Sequence, residues 1–271
     1  MENRVLVVLP TLGDRIETLR EAIASVELQR QDCSICLVVV APERAVEARA
    51  IASSAGATIV DDPGEGLAGA MNAGIGSASD EEFYVGLGDD DLLRPGGVKT
   101  LLALADGDPQ AVVYYGACDY IDSEGRVIGV NRAGRAASMI LAWGPNLVPH
   151  PGSLIRLLSL KAVGGFDVRR PYTMDLDAFL KLKRLGRFIA TKEPVSAFRW
   201  HSDSLTVAGR GESAREALGV KRAHLPAWAR PLSILWLRPV SWATENAGRL
   251  VNRRAAKIAR DDLVFPGGRN G

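Results

Sequence analysis

Short apolar runs alternate with amphipathic stretches over the first 97 residues of the chain. Brief runs of β-branched and aliphatic residues are typical of buried strands, and apolar residues that recur with helical spacing are typical of helices. The pattern predicts strands at 5–9, 35–40, 58–60 and 82–87, and helices at 16–28, 43–55 and 67–77. Strands and helices that alternate in this way indicate a parallel sheet with helices on both faces.

The loops that follow the predicted strands are expected to share one edge of that sheet. Ligands of open α/β sheets bind at the carboxyl ends of the strands. The loops at 10–15, 41–43, 61–66 and 88–95 should therefore form one ligand-binding rim.

After residue 97 the alternation becomes less regular. The pattern predicts a helix at 98–106, a strand at 111–115, and a hairpin at 119–130 that turns at Ser123-Glu124-Gly125. Helices follow at 153–163 and 174–186, and a strand at 194–199. Residues 206–213 contain Gly and Ser and are expected to form a mobile loop, and 214–260 are expected to be mostly helical.

The charge of the chain is unevenly distributed. Residues 1–205 hold 21 Lys/Arg and 27 Asp/Glu, a net charge of −6, whereas residues 206–271 hold 12 and 5, a net charge of +7. A basic tail on an acidic body either faces an anionic partner or packs on the body itself. Its Trp, Leu and Arg content also suits a water–lipid boundary. Helical packing on the body and dimerisation are equally compatible with that content.

Cysteine usage and the amino terminus indicate a cytoplasmic protein. Cys33 and Cys36 form a CxxC, but no second pair completes a zinc site, and small buried thiols are the simpler interpretation. The first apolar run is short and ends at Pro10, which is unlike a secretory signal. No apolar stretch is long enough to span a membrane.

Three adjacent carboxylates, Asp89, Asp90 and Asp91, follow the fourth predicted strand. Carboxylates this close repel one another unless a cation compensates them. Hard divalent ions such as Mg²⁺ or Mn²⁺ take oxygen ligands and are often shared with phosphates. The position at the rim therefore favours a metal site over a solvated acidic loop.

Other polar residues allow two interpretations each. Asp175 and Asp177 open a predicted helix, where anions are favoured by the helix dipole, but one of them can also serve as a general base. His201 lies just after a predicted strand and can be either a metal ligand or an ordinary surface residue. The glycine-rich segment 64–72 permits close approach to a ligand, although it matches neither the dinucleotide fingerprint nor a P-loop.

Taken in order, these segments resemble the inverting glycosyltransferases of family 2, which have the GT-A fold, particularly those of bacterial surface-polysaccharide synthesis. Val8-Leu9-Pro10-Thr11 with Arg15 is similar to the opening strand and loop of the family. Gly66 to Ile75 is similar to its Gly-Leu-x-x-Ala-x-Asn-x-Gly-Ile segment, and Phe83 to Leu92 to the strand that carries its Asp-x-Asp motif. The likeness continues through four later segments: His150 to Ser153, Gly164 to Asp167, Asp175 to Leu180, and Arg199-x-His201.

The resemblance implies a fold, a reaction and a set of residue roles. It implies a mixed α/β GT-A domain at 1–205, with a nucleotide-sugar half at 1–97 and an acceptor half at 98–205, followed by a basic helical extension at 206–271. It implies transfer of a sugar from a nucleotide-diphosphate sugar to a saccharide or lipid-linked acceptor, with Asp175 as base. A divalent Mn²⁺ or Mg²⁺ would be held by Asp90, Asp91 and His201. The nucleotide-sugar contacts would be Pro10, Thr11, Arg15, Glu43, Asp62, Gly66, Met71, Asn72, Asp89 and Arg199, and the acceptor-side residues His150, Gly165, Phe166 and Asp177.

The sequence departs from the family pattern at two places. Gly88 aligns with the first acid of Asp-x-Asp, so Asp89 is expected to take over its contact. The second strand ends at Ala41-Pro42-Glu43, where the family often has an Asp that contacts the base, and Glu43, Asp61 or Asp62 is expected to substitute. A sugar nucleotidyltransferase and a non-catalytic sugar-nucleotide-binding homologue are the alternative functions, and nucleic-acid binding is not expected.

Overall fold

The computed structural model describes residues 4–132, 134–200, 210–240, 242–243 and 246. Nine strands form one sheet within this part of the chain. They are β1 (Val5–Pro10), β2 (Ile35–Ala41), β3 (Thr58–Asp61), β4 (Phe83–Gly86), β5 (Leu92–Leu93), β6 (Val113–Ile121), β7 (Val127–Asn131), β8 (Leu154–Arg156) and β9 (Phe188–Arg199).

The sheet is mixed, in the order β3-β2-β1-β4-β8-β6-β9-β5, with β7 paired to β6. Strands β1 to β4 are parallel to one another. The short strand β8 runs antiparallel between β4 and β6, and β9 is parallel to β6. The carboxyl ends of β1 and β4 therefore meet at one rim, as predicted.

Helices lie on both faces of the sheet. They are α1 (Ile16–Gln29), α2 (Val46–Ser54), α3 (Gly66–Gly76), α4 (Gly97–Gly107), α5 (Arg135–Ile140), α6 (Leu157–Ala162), α7 (Met174–Leu182) and α8 (Arg210–His224). A 3₁₀ turn at Pro231–Ser233 and helical residues 234–240 follow. No helix in the described residues is long and apolar enough to cross a bilayer.

The central strand β1 shows why the first apolar run forms a buried strand. Its side chains alternate between two hydrophobic clusters, with Leu6 and Val8 on one face and Val5, Val7 and Leu9 on the other. All five are fully buried. A strand covered by helices on both faces needs apolar residues at every position, which is the pattern seen in the sequence.

The seven elements predicted for the first 97 residues are present, and so is the hairpin, as β6 and β7. The prediction of one helix at 153–163 was wrong, because its first residues form β8 and only Leu157–Ala162 are helical. Strand β5 and helix α5 were not predicted. Residues 210–213 belong to α8 rather than to a loop, and the rest of the predicted mobile loop lies outside the described residues.

The basic extension packs on the body of the protein where it is described. Leu225, Ala229 and Leu237 form a small buried cluster, against which Ala142 from the body also packs. The proposed division of the chain at residue 205 stays a prediction.

Candidate active site

Two loops of the rim are joined directly by their side chains. The Thr11 hydroxyl, after β1, donates to Asp89 Oδ2 at 2.6 Å. Arg15 Nη1 donates to Asp90 Oδ2 at 2.6 Å. Burial raises the pKa of Asp89, an effect that its bond from Thr11 opposes. The predicted proximity of the 10–15 and 88–95 loops is thus realised through the acidic run.

The third carboxylate of the run is held by the end of β9. Asp91 is buried, and its Oδ1 accepts the backbone N–H of Arg199 at 3.0 Å. Burial, and next the charge of Asp90, raise the pKa of Asp91 well above its usual range. A charge this poorly solvated is costly, so the acidic run is poised to accept a cation.

Two carboxylate oxygens converge over Gly88 and fit a hard divalent ion. A Cβ at that position would lie 2.9 Å from Asp91 Oδ2 and 3.0 Å from Asp90 Oδ1. Oxygen-only ligands suit Mg²⁺ or Mn²⁺. These two oxygens supply only part of a metal's ligand set. The described residues contain no group of three or more His, Cys, Asp or Glu side chains placed to hold a metal ion. The predicted ligand His201 lies outside the described residues.

The guanidinium of Arg199 binds protein groups in this structure. It is 3% exposed. Nε donates to the Asp90 carbonyl at 2.9 Å, Nη1 donates to the carbonyls of Asp122 and Ser123, and Nη2 pairs with Glu21. Through these bonds Arg199 helps to hold the acidic loop in position. Its predicted contact with the donor stays a prediction.

A cleft of about 430 Å³ begins beside the acidic run. Its lining includes Gly88 and Asp91 of the acidic loop, together with Asp175 and His150. Its walls are largely apolar and include Leu67, Met71, Tyr120, Val148, Phe198 and Trp200. Helix α8 also contributes to the lining, through Ser213, Ala214, Ala217, Leu218 and Lys221. Mostly apolar walls with a few polar groups are typical of small-molecule sites.

Asp175 and His150 form the polar part of that cleft. Asp175 Oδ2 accepts a hydrogen bond from Asn146 Nδ2 at 3.1 Å. Burial raises the pKa of Asp175 and lowers the pKa of His150, while each group's charge opposes the shift of the other. The lowered pKa of His150 favours its neutral form, and the raised pKa of Asp175 makes its carboxylate a stronger base.

The predicted acceptor-side residues Gly165 and Phe166 are held by Asn72. Asn72 Nδ2 donates to the Phe166 carbonyl at 2.7 Å, and its Oδ1 accepts the Phe166 N–H at 2.9 Å. The Phe166 ring packs against Tyr84 and His150. The amide of Asn72 is therefore used to position this turn, and its predicted donor contact stays a prediction.

Asp177 points toward α8 instead of the cleft. Its oxygens pair with Lys181 Nζ at 2.6 Å and with His224 Nε2 at 3.2 Å. Burial would raise the pKa of Asp177, but the bonds from His224 and Lys181 outweigh it and lower that pKa. The structure thus does not bring this predicted acceptor-side residue into the cleft.

The remaining predicted donor residues lie around the rim. Pro10 is the buried last residue of β1, and Met71 is buried, lines the cleft and accepts the Tyr84 hydroxyl. Glu43 is exposed beyond β2, Asp62 Oδ1 accepts the Gly64 N–H at 2.9 Å, and Gly66 opens α3 with a φ of +73°.

Several site residues were not predicted from the sequence. Asn146 bonds to Asp175, and Tyr84 contacts Met71 and lies 3.4 Å from His150. Glu216 of α8 accepts the Thr173 hydroxyl at 2.6 Å and the Thr173 N–H at 2.9 Å, beside Asp175. Asn146 and Tyr84 lie in segments with no separate polar signal, and Glu216 was counted only as part of a basic tail.

The sequence profile of glycosyl transferase family 2 matches residues 6–162, which is more than half of the chain. The chain belongs to this family. The match covers the rim loops, the acidic run and the first part of the cleft. No curated protein sequence matches the chain significantly.

Solved glycosyltransferase structures share the fold of this family member. A mannosyltransferase from Pyrobaculum calidifontis, in complex with GDP-Man and Mn²⁺, is 19% identical with a TM-score of 0.64, over 98% of this chain and 82% of that one. S. aureus TarS 1-349 with UDP-GlcNAc is 14% identical with a TM-score of 0.63, and the alignment covers 82% of this chain. It covers 66% of the TarS chain, slightly less than two thirds of its length.

Glucosyl-3-phosphoglycerate synthase from Mycobacterium tuberculosis, with Mn²⁺, UDP and glucosyl-3-phosphoglycerate, is 17% identical with a TM-score of 0.57. The alignment covers 82% of this chain and 80% of that chain. Together these structures confirm the predicted GT-A fold, a mixed sheet flanked by helices.

Proposed function

We propose that this family 2 protein moves a sugar from a nucleotide-diphosphate sugar to an acceptor hydroxyl by a single displacement that inverts the anomeric carbon. One observation carries the proposal. A single cleft is lined both by Asp91, the last residue of the acidic run, and by Asp175. The donor's diphosphate would lie at the acidic run, and the acceptor would lie against Asp175.

Asp175 is proposed as the general base. Its carboxylate takes the proton of the acceptor hydroxyl, the oxygen bonds to the anomeric carbon, and the bond from that carbon to the diphosphate breaks. The raised pKa of Asp175, caused by burial, suits this role. Asn146 fixes the orientation of the carboxylate through its bond to Oδ2.

We propose that Asp90 and Asp91 hold a Mn²⁺ or Mg²⁺ ion. A bound divalent ion would offset negative charge on the departing diphosphate. Two of the similar structures contain Mn²⁺. Thr11, Arg15 and Asp89 form the adjoining wall of the donor site, since Thr11 and Arg15 bond directly to the acidic run.

We infer that the donor is a nucleoside diphosphate sugar and the acceptor a saccharide or lipid-linked saccharide, as in synthesis of a cell-surface polysaccharide or glycolipid. Similar structures contain UDP-GlcNAc, GDP-Man or UDP. An acceptor linked to lipid would place the protein in the cytoplasm, at the inner face of the plasma membrane.

A thermal-shift screen of nucleoside diphosphates with Mn²⁺ tests the donor site. A ligand that binds only the folded protein raises the melting temperature by mass action. We expect a selective shift with one nucleoside diphosphate, lost on addition of EDTA and restored by excess Mn²⁺. Absence of any shift, or equal shifts with and without metal, would contradict the proposal. Release of pyrophosphate in place of nucleoside diphosphate during turnover would favour the nucleotidyltransferase alternative.

A further inference from the structure

Three tryptophans from two separate segments of the chain meet near the surface. Trp143 follows α5, and its ring centroid lies 5.5 Å from Trp236 and 6.2 Å from Trp228. These three rings and their exposed apolar neighbours along the chain, Met139, Leu232 and Leu235, are together called the tryptophan surface. Trp228 is 72% and Leu235 is 73% exposed.

This exposure is unusual because it is concentrated. Single exposed apolar residues are common on protein surfaces, but a cluster that includes several large side chains marks an interaction site. Trp residues are enriched where one part of a ring is apolar and another meets water, as at the boundary of a bilayer.

The chain segments that build the tryptophan surface carry charge of one sign. Both chain segments that build it lack Asp and Glu over long stretches, at residues 125–166 and 217–244. The same stretches carry exposed arginines, Arg132, Arg135, Arg222 and Arg238. Arg135 and Met139 lie four residues apart on α5, which places a basic and an apolar side chain on one face of that helix just before Trp143. An anionic partner with an apolar interior complements such a surface.

We propose that the tryptophan surface docks the protein on an anionic phospholipid bilayer. Basic and aromatic side chains act together there, the former on lipid headgroups and the latter at the acyl boundary. The surface adjoins the cleft, since Leu218 and Leu237 line the cleft and pack with Trp236 in the small cluster of the extension. Docking would bring the part of the cleft lined by Leu218 and Leu237 near the lipid. Use of the docked state for a lipid-linked acceptor rests on the proposed function.

Flotation of the full chain with lipid vesicles tests the docking itself. Vesicles of phosphatidylcholine alone are compared with vesicles that also contain phosphatidylglycerol, in the absence of donor and acceptor. We expect binding only to the anionic vesicles, with a strong decrease at high salt because Debye screening weakens the arginine contacts. No binding to anionic vesicles would overturn the proposal and leave the proposed transfer reaction untouched.

Substitution then assigns the binding to this surface. The double variant Trp228→Ser/Leu235→Ser should bind anionic vesicles about tenfold more weakly. Leu158→Ser is the matched control, because Leu158 is 78% exposed on α6, away from the tryptophan surface in sequence, and should bind as the unmodified chain does. Equal binding by the double variant would overturn the proposal.

The competing occupant is a second copy of the chain. Light scattering without lipid should show the same mass for the unmodified chain and the double variant. A dimer that dissociates in the double variant would assign the surface to self-association and overturn membrane docking. Unchanged circular dichroism and melting temperature confirm that the variants are folded.

Discussion

At the scale of single residues, Asp175 links the proposed chemistry to folding. Burial raises the pKa of Asp175, so the folded state favours the protonated form. Its contribution to stability is therefore present in acid and is lost as pH rises through the raised pKa. We expect Asp175→Asn to raise the melting temperature near neutral pH. The difference between the two melting temperatures should shrink as the pH falls below the usual pKa range of an Asp carboxyl. Calorimetric melting of both proteins across pH measures this, and a constant difference would contradict it.

The turn at Gly165 gives a second residue-scale prediction. Gly165 has a φ of +67°, and a Cβ there would lie 2.5 Å from Asn72 Oδ1. Gly164 has a φ of +86° with nothing within 4 Å of that position. Both Ala variants incur the left-handed backbone cost, but only Gly165→Ala disturbs the Asn72 amide. We expect Gly165→Ala to lower the free energy of unfolding, measured with denaturant, by about 1–3 kcal/mol more than Gly164→Ala does. Equal losses would refute the positioning role of Asn72.

Local patterns indicated the acidic run and the pair Asp175 and Asp177, and the family resemblance singled out Asp175, yet neither located the partners of Asn72 and Arg199. Asn72 bonds to Phe166 across 94 residues, and Arg199 bonds to Asp91 across 108. Such pairs depend on how strands and loops meet in the folded chain. A sequence pattern with a period of two or four residues carries no information about them.

At the scale of elements, α8 holds the helix that carries Asp175. Glu216 accepts three hydrogen bonds from Tyr172 and Thr173, at the start of α7. We expect Glu216→Gln to cost about 1–3 kcal/mol in stability and to lower kcat more than donor affinity, because charge-assisted bonds to this helix start are lost.

Glu212→Gln provides the matched control. Glu212 is exposed and accepts a hydrogen bond from the Tyr172 hydroxyl at 2.7 Å, just before the start of α7. Its replacement should change stability by less than about 0.5 kcal/mol. Denaturant unfolding and steady-state kinetics of both variants measure the contrast, and equal effects would remove the positioning role of Glu216.

Elements with strong periodicity were predicted well, and those decided by sheet partners were not. The short, mostly apolar stretch at 154–158 is compatible with either a strand or a helix. Residues 154–156 become a strand because β4 and β6 flank them. Strand β5 has two residues and pairs with β9, and a run this short has no periodic pattern in its own sequence.

At the scale of the whole molecule, Arg199 joins β9, α1, the acidic run and the turn between β6 and β7. Its donors reach Asp90, Asp122, Ser123 and Glu21. A lysine cannot reproduce this fork of donors. We expect Arg199→Lys to lose about 2–4 kcal/mol of stability and to weaken metal-dependent donor binding.

Arg169→Lys is the control for that variant, because Arg169 is exposed and pairs only with nearby Asp167 among the described residues. The free energy of unfolding of Arg169→Lys should differ from that of the unmodified chain by less than about 0.5 kcal/mol. Urea unfolding and donor titration of the two variants check the prediction, which a small loss for Arg199→Lys would contradict.

The most direct test of the proposed function compares donor binding and transfer in Asp175→Asn. Calorimetric titration with the selected nucleotide sugar and Mn²⁺ is followed by single-turnover release of nucleoside diphosphate in the presence of acceptor. Loss of a catalytic base costs about 10²–10⁴ in rate. We predict unchanged donor affinity with transfer reduced to that extent. Transfer at the rate of the unmodified enzyme would contradict the assignment of Asp175 as the base.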